Sequence, residues 1–413
     1  MTGAAAGGRP GPPPGRRDQQ AEPPLRVSTL EIFFDLVFAF TLTQLTSVLA
    51  TQRLSWLAVF KVLLIFGLLW WMYGAYAWLT NSRPPTHATE RIGLLAGMAG
   101  FLVVGIAIPR AFASYGVVLG LGYLLVVVVH AFLYYRVNAN IIRVAPFNIA
   151  SALLVIIAGL LHGPDGSADL AAYLLWVAAL AVQLGSPLVV HPAGLFQLRS
   201  AHFVERHSAL LIVAIGESVA AVGIGAAGPV DRPGGANWTL LAIAMLGLVV
   251  ASALWWIVFG SGDDERAERA LDQAGSARRP AMALSAFFYG FIPLLLGLVG
   301  LAAGVLTAVR LSGTTGGSAG QSAVLACGAA LFLGGNAAIR RHLRIGPVRL
   351  RLPAAALELG TIGVGVAAGL DVQLVVVAAV LVLPLVAERL PGLASPGTGG
   401  SGDRAPASPD GAG

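Results

Sequence analysis

The sequence is short of charge, of sulfur and of lysine, and each shortage removes a class of protein. Charged residues make up 11% of the 413, against about a quarter in soluble domains, which excludes an ordinary cytosolic enzyme. Cysteine occurs once, as Cys327 inside an apolar run, so neither an intrachain disulfide nor a Cys-based zinc site can form. Lysine also occurs once, as Lys61, so the remaining 25 of the 26 basic residues are arginines; with abundant Ala and Gly this composition fits a GC-rich bacterial gene. Metal-ligand spacings of the His-x-x-x-His or Glu-x-x-His type do not occur on any predicted helix. The chain also has neither a Gly-x-x-x-x-Gly-Lys-Ser/Thr phosphate loop nor a Gly-x-Ser-x-Gly nucleophile elbow. ATP-driven pumping by this chain alone is therefore not expected, and no cofactor is. The formal charge of +6 does not imply nucleic acid as a partner, because the arginines sit in short clusters between apolar runs rather than along one face.

What is present is apolar residue in quantity: 56% of the chain, with a mean hydropathy of +0.78. A membrane helix needs roughly 20 apolar residues. Twelve segments qualify, at about 28–50, 54–80, 91–112, 115–137, 144–162, 168–190, 202–227, 237–260, 281–309, 320–339, 353–370 and 372–389. The runs are continuous rather than alternating, which favours helices over a closed barrel. The predicted fold is all-α, a polytopic helical membrane bundle of about 12 transmembrane helices. Residues 1–26 and 391–413 are rich in Pro, Gly, Ser and Ala and read as disordered cytoplasmic tails.

Arginine placement orients the bundle. With the N-terminus inside, 21 arginines fall in cytoplasmic loops and tails and only Arg53, Arg110, Arg232 and Arg310 outside. Both termini are thus expected in the cytoplasm of a bacterial plasma membrane. An internal echo divides the bundle into two six-helix halves, 27–190 and 191–390: Glu31, Trp56 and Leu69-Trp70-Trp71 in the first correspond to Glu205, Trp238 and Leu254-Trp255-Trp256 in the second. The alternative is that tryptophan simply collects at membrane interfaces.

Intramembrane acids are costly and are usually paired or functional. Glu31 and Asp35 are four apart and share a helical face. Ser28-x-x-Glu31 also fits a capping box, whereas Asp35, roughly 10 Å inside the boundary, has no such role. In the seventh segment His202, Glu205 and Arg206 mark the inner boundary, with Glu205 expected in a solvated ion pair with an arginine. Glu217 lies roughly 20 Å from the inner face, at a depth near that of Lys61. A Lys61–Glu217 pair would join the halves; the alternative is a Lys61 stem that snorkels outward. His130, Gln183, Asn336 and Glu358 are further polar residues that could line an inward-facing polar cavity with Asp35, where histidine and carboxylates can relay protons. Candidate coupling or substrate-binding residues are therefore Glu31, Asp35, Lys61, His130, Glu205, Glu217 and Glu358. The stretch Asp263-Asp264-Glu265-Arg266-Ala267-Glu268-Arg269 reads as a short surface helix with modest ion pairs.

At these residues the sequence resembles the bacterial low temperature requirement A family. Leu30-Glu31-Ile32-Phe33-Phe34-Asp35-Leu36-Val37-Phe38 is similar to that family's opening motif. Glu205-Arg206 followed by Ile215-Gly216-Glu217-Ser218-Val219 is similar to its second acidic motif. Leu254-Trp255-Trp256 and Pro293-Leu294-Leu295-Leu296-Gly297 extend the likeness to about residue 310. Phe291-Ile292 stand where the family often has a histidine, so no role for that histidine carries over. The resemblance implies a multi-pass membrane protein and, since the family is named for growth at low temperature, a phenotype rather than a reaction. The expected function is an ion-coupled secondary transporter, with membrane lipids and a small solute or ion as partners and a homo-oligomer as a possible assembly. The rivals are a membrane-embedded enzyme acting on lipid or a lipid-linked precursor, and a non-catalytic membrane sensor.

Overall fold

An apolar run inside a bilayer has to satisfy its own backbone groups, and the described part of the chain does so with helices throughout. A computed structural model describes residues 26–51, 55–161, 169–190, 198–226, 238–311 and 318–387, together with Gly3. Apart from Gly3 and Arg26, the two expected tails lie outside the described residues. The helices are α1 (Thr29–Thr51), α2 (Trp56–Ser82), α3 (Ala88–Ala107), α4 (Gly116–Tyr135), α5 (Ala145–Leu160), α6 (Leu170–Val190), α7 (Ser200–Ala226), α8 (Trp238–Phe259), α9 (Asp263–Gln273), α10 (Arg279–Ala283), α11 (Phe291–Arg310), α12 (Ala319–Leu343), α13 (Arg351–Ala368) and α14 (Leu370–Ala387). No strand occurs among the described residues. Among the described residues, ten candidate spans are long and apolar enough to cross a membrane. The seventh and twelfth segments read from the sequence are α7, which carries His202, Glu205, Arg206, His207 and Glu217, and α14, whose apolar stretch Leu370–Val386 is shorter.

Caps set several of the helix starts. Ser55 accepts the Ala58 N–H at the start of α2, and Ser318 and Gln321 form a reciprocal capping box on α12. At the start of α3 the Glu90 carboxylate accepts the backbone N–H groups of Thr86 and His87. Between α10 and α11 a single π-helical turn, Leu284–Tyr289, sends Phe287 towards the His207 ring on α7 and Phe288 towards Trp70 and Trp71 on α2.

Helix pairings recur between the two halves. In the first, α1 packs on α2 and α3, α3 on α4, α4 on α5, α5 on α6 and α6 on α2; the second repeats these with α7, α8, α11, α12, α13 and α14 in the same order. The halves meet where α1 packs against α7 and α11. Small residues allow the closest approaches, as expected where apolar lipid gives helices little other drive to associate. At Gly328 on α12 a Cβ would collide with the backbone N of Leu301 and lie 2.7 Å from the carbonyl carbon of Gly300, both on α11.

The charged stretch at 263–273 forms α9, as the sequence predicts, but one of its ion pairs is more than a surface decoration. Arg340, 1% exposed at the end of α12, donates through Nε to Asp263 at 2.5 Å and through Nη2 to Ser261 at 3.1 Å. Arg266 reaches the other Asp263 oxygen at 2.8 Å. Ala267 and Leu271 bury the apolar face of α9, so the helix is bolted across the same end of the bundle at which α1 and α7 begin. That end is called the arginine-rich end below.

Candidate functional site

Glu31 and Asp35 are the third and seventh residues of α1; His202 and Arg206 are the third and seventh of α7. Because the two helices lie side by side and run in the same direction, this matched spacing faces acid to base at two successive levels. Arg206 Nη1 lies 2.9 Å from Glu31 Oε1, and Nη2 lies 3.3 Å from Asp35 Oδ1. His202 Nε2 stands 3.1 Å from the same Glu31 oxygen. All four side chains are buried, Glu31, Asp35 and Arg206 completely.

The end of α2 completes the cage. Tyr73 donates its hydroxyl to Asp35 Oδ1 at 3.0 Å, and Thr80 accepts from Arg206 Nη1. The guanidinium lies over the rings of Phe34, at 5.4 Å, and Tyr73, at 5.8 Å, an arrangement that favours a cation. Asn81 is fixed from both sides by Arg199, accepting its N–H at 3.0 Å and donating to its carbonyl at 2.9 Å. Its amide orientation is therefore set, and the Asn81 NH₂ group points to His202 Nδ1 at 3.3 Å. A nitrogen facing a donor has to accept, so Nδ1 is unprotonated and the ring proton sits on Nε2, towards Glu31.

Glu31 fills both of its expected places. Its Oε2 accepts the backbone N–H of Ser28 at 2.9 Å and the Ser28 hydroxyl at 2.8 Å, as a capping carboxylate does, while Oε1 takes Arg206 and His202 Nε2 reaches both oxygens. Asp35 is less completely held. Its Oδ2 has no hydrogen-bond partner among the described residues, and neither has Arg206 Nε. Two carboxylates and one guanidinium, with the ring proton of His202 on Nε2, leave the cage one positive charge short unless a further proton is bound.

The other predicted residues lie elsewhere. Glu205 is exposed and accepts the backbone N–H of Val27 at 3.1 Å; it forms no ion pair among the described residues, and the adjacent Arg206 turns inward to Glu31 and Asp35. The Lys61–Glu217 pair does not form. Lys61 lies on the α2 face that meets the Phe112 and Tyr173 rings, at 5.2 and 5.9 Å, whereas α2 meets α7 at the arginine-rich end. Glu217 is half-buried on α7 without an ion pair among the described residues.

The single polar cavity expected around Asp35, His130, Gln183, Asn336 and Glu358 is not formed either. Gln183 donates to the Tyr123 hydroxyl, Asn336 lines a small cavity of about 50 Å³ against α7 and α11, and Glu358 is buried on α13 with both carboxyl oxygens unpartnered among the described residues. His130 lines a different and largely apolar cavity, screened from Asp35 by Tyr76, whose ring lies 5.2 Å from His130 and 4.9 Å from Phe34. Tyr73, Thr80 and Asn81 were not singled out by sequence reasoning, because nothing in the spacing of α2 aligns them with α1. Arg206 and His202 were legible in principle: their i, i+4 spacing mirrors that of Glu31 and Asp35 at the same helix positions.

Two comparisons bear on this site. The chain shares 28% identity over 291 residues with the uncharacterized protein RA0937 of Rhizobium meliloti (strain 1021), a match covering 68% of each chain. Residues 26–387 match the family described as bacterial low temperature requirement A protein (LtrA), a span that takes in all of α1 to α14 and every residue of the buried cage. This multi-pass membrane protein therefore belongs to the bacterial low temperature requirement A family.

Proposed function

We propose that the protein is a proton-coupled secondary transporter of the bacterial plasma membrane, with Asp35 as the residue that takes up and releases the proton. The observation that carries this reading is the unpartnered Asp35 Oδ2 in a cage one positive charge short of neutral. A buried charge without compensation is expensive, and a proton on Oδ2 removes it without disturbing any other bond of the cage. His202 is not the better seat for that proton, since Nδ1 already accepts from Asn81.

The location fits a coupling site. With the arginine-rich end in the cytoplasm, Asp35 lies about 9 Å along α1 from its start, at about 1.5 Å per residue. It is held between the first helix of each half, in a bundle whose halves repeat the same pairings. Many secondary carriers place ion sites at the interface of two such repeats and move one repeat against the other. Releasing the Asp35 proton restores the full charge that holds Arg206, so protonation would adjust the grip between α1 and α7.

The test combines two readouts on purified protein. The wild-type minus Asp35→Asn infrared difference spectrum should contain the C=O band of one buried protonated carboxyl, sensitive to D₂O, because the buried Glu358 is common to both proteins. In liposomes, solute-dependent proton movement under an imposed pH gradient should likewise disappear in Asp35→Asn, with the thermal stability of the variant retained. A difference spectrum without that band, or undiminished coupled flux in Asp35→Asn, would refute the role of Asp35.

A further inference from the structure

A π turn inside a helix is rare and frequently marks a functional position. Here the local cause is Pro293, the third residue of α11. It has no N–H to give, and its ring crowds the carbonyl four residues back, at Tyr289. The chain takes the wider turn Leu284–Tyr289, and the Gly290 N–H bonds back five residues, to the Ser285 carbonyl at 3.1 Å. A Cβ at position 290 would collide with the Ala286 carbonyl, so the turn needs glycine there.

The turn is held by side chains of other helices. Trp70 of α2 donates its indole N–H to the Phe288 carbonyl, within the turn, at 3.0 Å. The same indole lies flat against Tyr73, with ring centres 5.2 Å apart and planes at 12°, and against Phe291, at 6.1 Å and 3°. Tyr73 in turn donates to Asp35 Oδ1 at 3.0 Å. Both Trp70 and Tyr73 are buried, and in a close-packed interior neither ring shifts without moving its neighbour. From α7, His207 meets Phe287 and Phe291, each at 5.1 Å. A continuous line of contacts therefore runs from the unpartnered carboxyl of the cage to a main-chain carbonyl of the π turn.

A hydrogen bond to a charged acceptor is about twice as strong as one to a neutral acceptor. Tyr73 is held firmly when Asp35 is ionised and more loosely when Oδ2 carries a proton. The other ionisable groups around Asp35 are Glu31 of α1, Tyr73 of α2, and His202 and Arg206 of α7. Of the remaining helices packed on α1, α11 has no ionisable residue before Arg310, and α3 has only Arg91 and Glu90, the latter paired with Arg83 at 2.6 Å.

We propose that Trp70 is a positioning residue that relays the charge on Asp35, through Tyr73, to the π turn: the turn is held while Asp35 is ionised and loosens when Asp35 is protonated. The relay rests on Asp35 as the proton-carrying group of the transporter. It links the cage to the root of α11, the helix that packs on α1, α7 and α12, so a proton taken up between the two halves is felt where α11 enters the bundle.

Backbone hydrogen exchange over 284–292 in the purified full chain, divided by the intrinsic amide rate at each pH, reads the turn. The Asp35 carbonyl band, taken as the infrared difference from the same protein carrying Asp35→Asn, reads the proton in parallel. In the wild type, protection should rise about five-fold as Asp35 loses its proton, the equivalent of about 1 kcal/mol between a neutral and a charge-assisted hydrogen bond. Asp35→Asn should abolish that step. Trp70→Phe keeps a ring in the stack without the indole N–H, and Tyr73→Phe removes only the hydroxyl; each should abolish the step while the Asp35 band still titrates. A merely structural ring would lower protection at every pH and leave the step in place. The two variants cut the relay at opposite ends, so either one serves if the other fails to fold. A step that persists in any of the three variants overturns the relay. Level wild-type protection alongside a titrating Asp35 band overturns it too, with Asp35 still the carrier, whereas absence of the band removes the carrier and the relay together.

Discussion

Replacing Arg206 by glutamine removes the one cation shared by two buried carboxylates and so tests the cage most directly. Arg206 contributes contacts of 2.9 Å to Glu31 and 3.3 Å to Asp35, and a further bond to Thr80. Breaking a buried ion pair from one side costs about 3–5 kcal/mol, mostly because the partner charge is left stranded. Proton uptake sets a ceiling on that loss. At pH 7, protonating a carboxylate of ordinary acidity costs about 4 kcal/mol, since its reference value lies about three units lower and each unit is about 1.4 kcal/mol. The predicted loss for Arg206→Gln is therefore about 3–4 kcal/mol at neutral pH, narrowing towards pH 5, where protonation costs only about 1 kcal/mol. The variant Glu31→Gln, Asp35→Asn, Arg206→Gln, in which all three charges are gone, should recover at least about 2 kcal/mol of it, a non-additivity expected of residues in one network. Unfolding in mixed micelles titrated with dodecyl sulfate provides the free energies. A loss below about 1 kcal/mol for Arg206→Gln, or a triple variant no more stable than the single one, would refute the charge argument.

Other consequences can be checked in the same assay. Lys61→Met and Glu217→Gln should each change stability by less than about 1 kcal/mol and should combine additively, since the two side chains do not pair; a coupling above about 1 kcal/mol would restore the pair. Gly328→Val should destabilise by about 1–3 kcal/mol or more through overpacking, because its Cβ would press on the α11 backbone at Gly300 and Leu301, and a thermal transition unchanged from wild type would contradict so close a helix approach. Asp263→Asn should speed hydrogen exchange across 263–273 at a cost of about 2 kcal/mol, below the full value for a buried pair because Arg266 is partly exposed; exchange unaltered in α9 would show that Arg340 does not anchor it.

The sequence by itself determined the class of the molecule. Continuous apolar runs with little charge leave a bilayer-embedded chain no option but helices that satisfy their own backbone, and the apolar segments became helices within a few residues of their expected bounds. Two helices fall outside the ten candidate spans among the described residues: α7, which carries buried charged side chains in an apolar run, and the short α14. The same pattern exposed Glu31 and Asp35, since an acid within an apolar run stands out whatever surrounds it.

Only the tertiary structure decided which residues those acids meet. Depth along a helix can be counted, but the angle a side chain takes around the bundle axis follows from how neighbouring helices pack, and no local pattern encodes it. Glu205 and Arg206 are adjacent in the chain, yet one faces out and the other lies buried between two carboxylates. Lys61 and Glu217 share a depth but not a side. Tyr73, Thr80 and Asn81 enter the cage solely because the end of α2 runs beside the starts of α1 and α7. The orientation of His202 is tertiary as well: the Arg199 backbone fixes the Asn81 amide, and Asn81 turns its NH₂ group to His202 Nδ1, a relation that no single helix would reveal.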